Sequence, residues 1–231
     1  MPPEDLRLLF AHQSVGTDLL DGLRTSSPDL RIVEIGDGSV NPSAGGIIHC
    51  LIGRNHDPYS KIAEFESILL DNGSSYDLAL LKFCYVDISR ETDVSTLFAA
   101  YSAMTERVSA TLPALRLFHA TVPLRHIRLG IRSYARLIGG FPIDAVEDNL
   151  QREKYNEMVR SRWVDTGTVF DIAKAESTLP DGSSSNIRYR RSRVAMLHDG
   201  YSSDGGHLNR NGKAAIARLF LRTFNLTTGT K

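Results

Sequence analysis

At 231 residues the chain can bury a full core, and its 42% apolar and 23% charged content is that of an ordinary globular protein. Lys plus Arg and Asp plus Glu stand at 27 each, so the overall charge gives no pull toward nucleic acid or an acidic membrane. Two cysteines, Cys50 and Cys84, are too few for a disulfide framework or a four-cysteine zinc site, and no run reaches the ~20 apolar residues that span a bilayer. The opening stretch MPPEDLRLLF carries acids and passes straight into a strand pattern, which makes a cytoplasmic location the expectation.

In chain order, LRLLFA from Leu6 predicts the first strand, followed by a helix with Val15, Leu19, Leu20 and Leu23 on one face. LRIVEI from Leu30 is the second strand, and Ile62, Phe65 and Leu69 mark the next helix. DLALLKF from Asp77 precedes a helix carrying Leu97, Tyr101, Met104, Val108 and Leu112. ALRLFHATV from Ala114 leads to a long helical segment from Ile143 to Trp163. GTVFDI from Gly167 is the fifth strand, and GKAAIARLFLRTF from Gly212 the last helix. Near-continuous apolar strands alternating with helices predict one α/β domain over 1–231. The expected form is a three-layer α/β/α sandwich, flavodoxin-like, around a mainly five-stranded parallel sheet.

Two connections are long: GDGSVNPSAGGIIHCLIGRNHDP after the second strand and LPDGSSSNIRYRRSRVAMLHDGYSSDGG before the last helix. Loops of such length tend to be functional or mobile, and both are expected near the side of the sheet where Ser14 emerges. The basic cluster IRYRRSR from Ile187 reads as a solvated loop in preference to a phosphate site, and the insert around residues 183–193 stays open between a lid and a fixed loop.

Ser14 lies where the first strand gives way to a helix. Its hydroxyl either caps that helix or stands as a nucleophile beside free N–H groups that would stabilise an oxyanion. Gly16 would let the backbone approach a ligand. At the far end, SSDGGHLNRNGKAAIA holds Asp204 and His207 in a Gly-bent loop. A serine needs a base to take its proton, and a carboxylate to orient that base and stabilise its charged form. Cys84 ends an apolar run and reads as a small buried thiol. His49, His56, His119 and His126 lack zinc-ligand spacing and read as structural.

The order of a serine after the first strand, α/β alternation and D-x-x-H-L-N-x-x-G before the last helix resembles the SGNH (GDSL-type) hydrolase superfamily over nearly the whole chain. FAHQSVG stands where the family has its G-D-S block, YDLALLKFCYVD at its third strand and third block, FHATVPL at its fourth strand, and VFDIAKAES at its fifth. The resemblance implies a catalytic Ser14, His207 and Asp204, an acyl-enzyme, and no metal or organic cofactor. It departs in two places. His12-Gln13 replaces Gly-Asp before the serine, and Val86 falls where the third block has its oxyanion-binding Asn, with Cys84 in the glycine's place and Asp87 closing the block. Valine donates no hydrogen bond. Substitute oxyanion groups are the Gly53 N–H and the Asn55 amide, although Asn55 reads equally as a turn or cap before Asp57-Pro58. Lys82, inside an apolar strand, either snorkels from the sheet edge or reaches the site as a cation. His12 either packs against the catalytic loop or touches substrate.

The function implied is an esterase acting on O-acyl groups of a carbohydrate or other small polar molecule. Two alternatives are an O-acyltransferase with a saccharide acceptor and a non-catalytic carbohydrate-binding module. No nucleic-acid or membrane partner is expected, and the oligomeric state is not written in the sequence.

Overall fold

The computed structural model describes residues 5–35, 45–139 and 141–226. Six parallel strands form the sheet: β1 (Arg7–His12), β2 (Ile32–Glu34), β3 (Gly46–Leu51), β4 (Leu78–Leu81), β5 (Arg116–Ala120) and β6 (Val169–Phe170), in the order β2-β3-β1-β4-β5-β6. The alternation within β1 shows why the sheet is covered twice. Leu8 and Phe10 join the apolar cluster of α1 (Ser14–Ser26), α6 (Ile172–Ser177) and α7 (Arg210–Thr223). Leu9 and Ala11 join that of α2 (Pro58–Asn72), α3 (Val94–Thr111) and α5 (Asp144–Trp163). All four β1 side chains are fully buried, as expected for a central parallel strand.

The sheet has one strand more than expected. The segment IIHCL, read as part of a long connection, forms β3 and takes the place beside β1, because buried Ile47 and Ile48 outweigh the flanking glycines. The expected second strand shrinks to a three-residue edge. Residues 36–44 of that connection lie outside the described residues.

Beyond the short helix α6, two further elements were not expected. One is α4 (Ile131–Ile138). The other is an antiparallel hairpin, β7 (Asn186–Tyr189) and β8 (Ser192–Ala195). The hairpin corrects the reading of IRYRRSR as a solvated loop. Its arginines point outward, but Tyr189 and Val194 are buried with Ile127 and with Val146 of α5, and Tyr189 Oη donates to Glu147 at 2.9 Å. No described helix is long and apolar enough to cross a membrane.

Because the strands are parallel, the segments leaving β1, β3, β4 and β5 gather at one edge of the sheet. That edge holds Ser14.

Candidate active site

Gln13, not Ser14, is the N-cap of α1, and Ser14 is the first helical residue. The cap reading is thereby set aside: Ser14 Oγ has no hydrogen-bond partner among the described residues, and the side chain is half-buried. Its N–H is one of the first-turn groups that a helix leaves without an internal acceptor.

The opposite end of the chain is pinned to the same helix. Asp18, one turn after Ser14, accepts the Leu208 N–H at 2.9 Å, and its other oxygen pairs with Lys213 of α7 at 3.0 Å. Lys213 also reaches Asp21 at 2.9 Å. These bonds seat the loop holding His207 against the first turns of α1. Within that loop His207 Nδ1 lies 2.7 Å from Asp204 Oδ2, while Asp204 Oδ1 accepts the N–H groups of Gly206 and His207, each at 2.8 Å. The His207 ring and these amides hold the Asp204 carboxyl well below the usual carboxylate range. With Nδ1 bound to a carboxylate, the other ring nitrogen is left as the base. No hydrogen bond joins Ser14 Oγ to His207 here. The side chains of Asp204 and His207 are 54% and 48% exposed, so this side of the site is open. Asn209 and Gly212 of the same motif build the loop's exit. Asn209 caps α7 by accepting the N–H groups of Asn211 and Gly212, and a side chain at Gly212 would strike the Tyr201 carbonyl.

The loop after β3 is tied to Ser14 through its neighbour. Gln13 Nε2 donates to the carbonyls of Ile52 at 2.8 Å and Gly53 at 3.1 Å. The Gly53 N–H, expected as an oxyanion donor, is already donated to Glu64 at 2.8 Å. Asn55 differs. Its Oδ1 accepts from Lys61 Nζ at 3.3 Å, and because a lysine can only donate, the Asn55 amide N–H groups must face the other way, into solvent.

Lys61 was not singled out from the sequence, yet it organises this region. It is fully buried and pairs with Asp87 at 2.6 Å. Asp87 in turn accepts the N–H groups of Cys84 at 2.7 Å and His56 at 3.0 Å. One carboxylate therefore joins the third block, the Asn55 loop and α2. The available signal was spacing, since Lys61, Phe65 and Leu69 share the buried stripe of α2.

The two candidate substrate contacts, His12 and Lys82, are both buried. His12 is 1% exposed. Its Nδ1–H donates to the Gln13 carbonyl at 3.0 Å, so Nε2 accepts from His49 at 3.2 Å, and burial pushes the ring down to about 3. A side chain at Gly16 would strike the His12 ring, so Gly16 makes room for this histidine and not for a ligand. Lys82 is fully buried, donating to Cys84 Sγ at 3.8 Å, and does not snorkel. Cys50 and Cys84 are buried free thiols, and burial raises Cys50 to about 12.

Tyr85, between Cys84 and Val86, was also missed. Its ring meets His207 edge-on at 6.2 Å, and its hydroxyl lies where a side chain on Gly206 would stand. The guanidiniums of Arg125 and Arg152 flank it at 5.3 and 5.9 Å, and Arg152 Nε donates to the Tyr85 carbonyl at 2.8 Å. Tyr85 is a wall of the site beside His207. No three His, Cys, Asp or Glu among the described residues are grouped to hold a metal ion.

Glu176 is fully buried, with Oε2 accepting the Leu124 N–H at 2.9 Å and Oε1 without a hydrogen-bond partner among the described residues. Burial pushes it up to about 8. The folded chain thus keeps a proton that the unfolded chain releases near pH ~4.3, so this stabilisation fades as pH rises through about 8. Thermal melts should show Tm falling between about pH 5 and about pH 9, with Glu176→Gln flatter and several degrees higher at the alkaline end. Parallel curves would remove Glu176 as the source.

No protein-family model matches the chain, and neither does any curated protein. Solved structures do. A GDSL-like lipase from Bacteroides thetaiotaomicron aligns with a TM-score of 0.59 at 9% identity, over 96% of this chain and 88% of that one. A variant of an acetyl-xylooligosaccharide esterase from Geobacillus aligns at 0.51 and 13%, over 96% and 94%. At such identities it is architecture that is shared: this chain has the fold of the GDSL-like lipases and esterases.

Proposed function

We propose that the chain is a serine esterase that cleaves O-acyl esters. Ser14 Oγ attacks the acyl carbonyl as His207 takes its proton, and Asp204 orients the ring and stabilises its charged form. His207 returns the proton to the departing alcohol. Water activated by the same ring then releases the acid and restores Ser14. The developing oxyanion is held by the Ser14 N–H and the Asn55 amide, in place of the donor lost at Val86. The observation that supports this reading most is the Asp204–His207 contact of 2.7 Å, in a loop that Asp18 seats against the helix opened by Ser14. For the substrate class we infer an O-acyl group on a carbohydrate or similar polar molecule. That inference draws on what the Geobacillus neighbour acts on and on the open His207 side of the site.

The oxyanion assignment has its own test. Asn55→Ala should lower kcat on a short-chain aryl acetate by about 10²–10³-fold with little change in KM, because the lost bond forms only in the transition state. An unchanged kcat would remove Asn55 from the mechanism.

A further inference from the structure

The overall charge balance conceals one segment of single sign. Residues 121–143 carry Arg125, Arg128, Arg132 and Arg136 and not one acid. Within it α4 has no buried residue. Ile131, Tyr134 and Ile138, spaced three and four apart, lie on one face and are 93%, 57% and 74% exposed, and Phe141 just beyond is 61% exposed. Arg132 and Arg136, also four apart, lie on the opposite flank. Only the half-buried Leu137 turns toward the apolar cluster beneath. Arg128 and Arg136 donate to the backbone carbonyls of Ser203 and Pro142, and the nearest acid in sequence, Asp144, is shared between Arg136 and its ion-pair partner Arg90.

A short helix with bare aliphatic and aromatic side chains on one side and arginines on the other has the makeup of an interfacial element. We propose that α4 docks the protein on an anionic lipid surface, with Ile131, Tyr134, Ile138 and Phe141 entering the headgroup boundary and Arg128, Arg132 and Arg136 meeting the phosphates. A second copy of the chain is a poorer occupant. A two-fold contact through this face would bring the arginines of both copies together, with only Asp144, already paired with Arg90, at the segment's edge to offset them. The placement also relates to the site. The His126 N–H donates to the Gly205 carbonyl and Arg128 to that of Ser203, so a surface seated on α4 lies beside the loop of His207.

The test reads binding and not turnover, so it stands or falls apart from the esterase reading. The full chain should co-sediment with phosphatidylcholine vesicles containing phosphatidylglycerol, weakly with phosphatidylcholine alone, and less as salt is raised. Arg132→Glu/Arg136→Glu and Ile131→Ser/Ile138→Ser should each weaken binding by about tenfold or more. Both should keep the melting temperature and the hydrolysis of a soluble aryl acetate, since none of the four side chains is buried. Absence of sedimentation with anionic vesicles, or binding that survives both variants, would overturn the proposal. So would concentration-dependent self-association that the variants abolish without any vesicle binding.

Discussion

Ser14→Ala is expected to lower turnover of a short-chain acyl ester by about 10⁴–10⁶-fold while leaving stability within about 0.5 kcal/mol of the parent. The two halves of that expectation rest on one observation. Ser14 Oγ makes no hydrogen bond among the described residues, and Ala suits the first turn of a helix at least as well as Ser. The hydroxyl is thus dispensable for folding, and any loss must come from chemistry. Asp204→Asn should cost about 10⁴-fold, since an amide in that place favours the wrong tautomer of His207. Steady-state kinetics alongside thermal melts separate these effects. A Ser14→Ala protein with ordinary kcat/KM would mean another nucleophile.

The second large effect is structural. Lys61→Met leaves the Asp87 carboxylate buried without its cation, which should cost about 3–5 kcal/mol and lower Tm by about 10 °C. Lys61→Met/Asp87→Asn should recover more than half of that loss, because removing both charges also removes the desolvation penalty. Activity should not recover with it. Asn55 Oδ1 loses its donor in both variants, so its amide is no longer held by Lys61. Urea denaturation of the two single variants and the double variant gives the coupling directly. Additive losses, with no recovery in the double variant, would show that the pair does not act as a unit.

What was legible in the sequence is what local order encodes. Ser14 at a strand-to-helix switch and Asp204 three residues before His207 are short-range patterns, and the structure keeps both local geometries. The two buried faces of β1 were likewise written in an unbroken apolar run. What was not legible depends on pairing across the chain. Lys61 meets Asp87 only because α2 packs beside the segment leaving β4. Tyr85 becomes a wall only because the His207 loop comes to rest on it. Gly53 looked like a free donor until Glu64 of α2 took its N–H. Lys82 was misjudged for a related reason: charge suggested solvent, while its place among apolar neighbours decided burial. The strand β3 was hidden by loop-like flanks, and α4 by a composition whose apolar face remains exposed.

Turnover depends on a hydroxyl in the first helix being activated by an imidazole in the loop before the last. Peptide mapping by mass spectrometry after reaction with a fluorophosphonate tests this most directly, because the reagent is attacked only by an activated nucleophile. The predicted result is a single adduct on the peptide containing Ser14, formed far more slowly in His207→Ala. An adduct on a different residue, or Ser14 labelled as fast without the imidazole as with it, would contradict it.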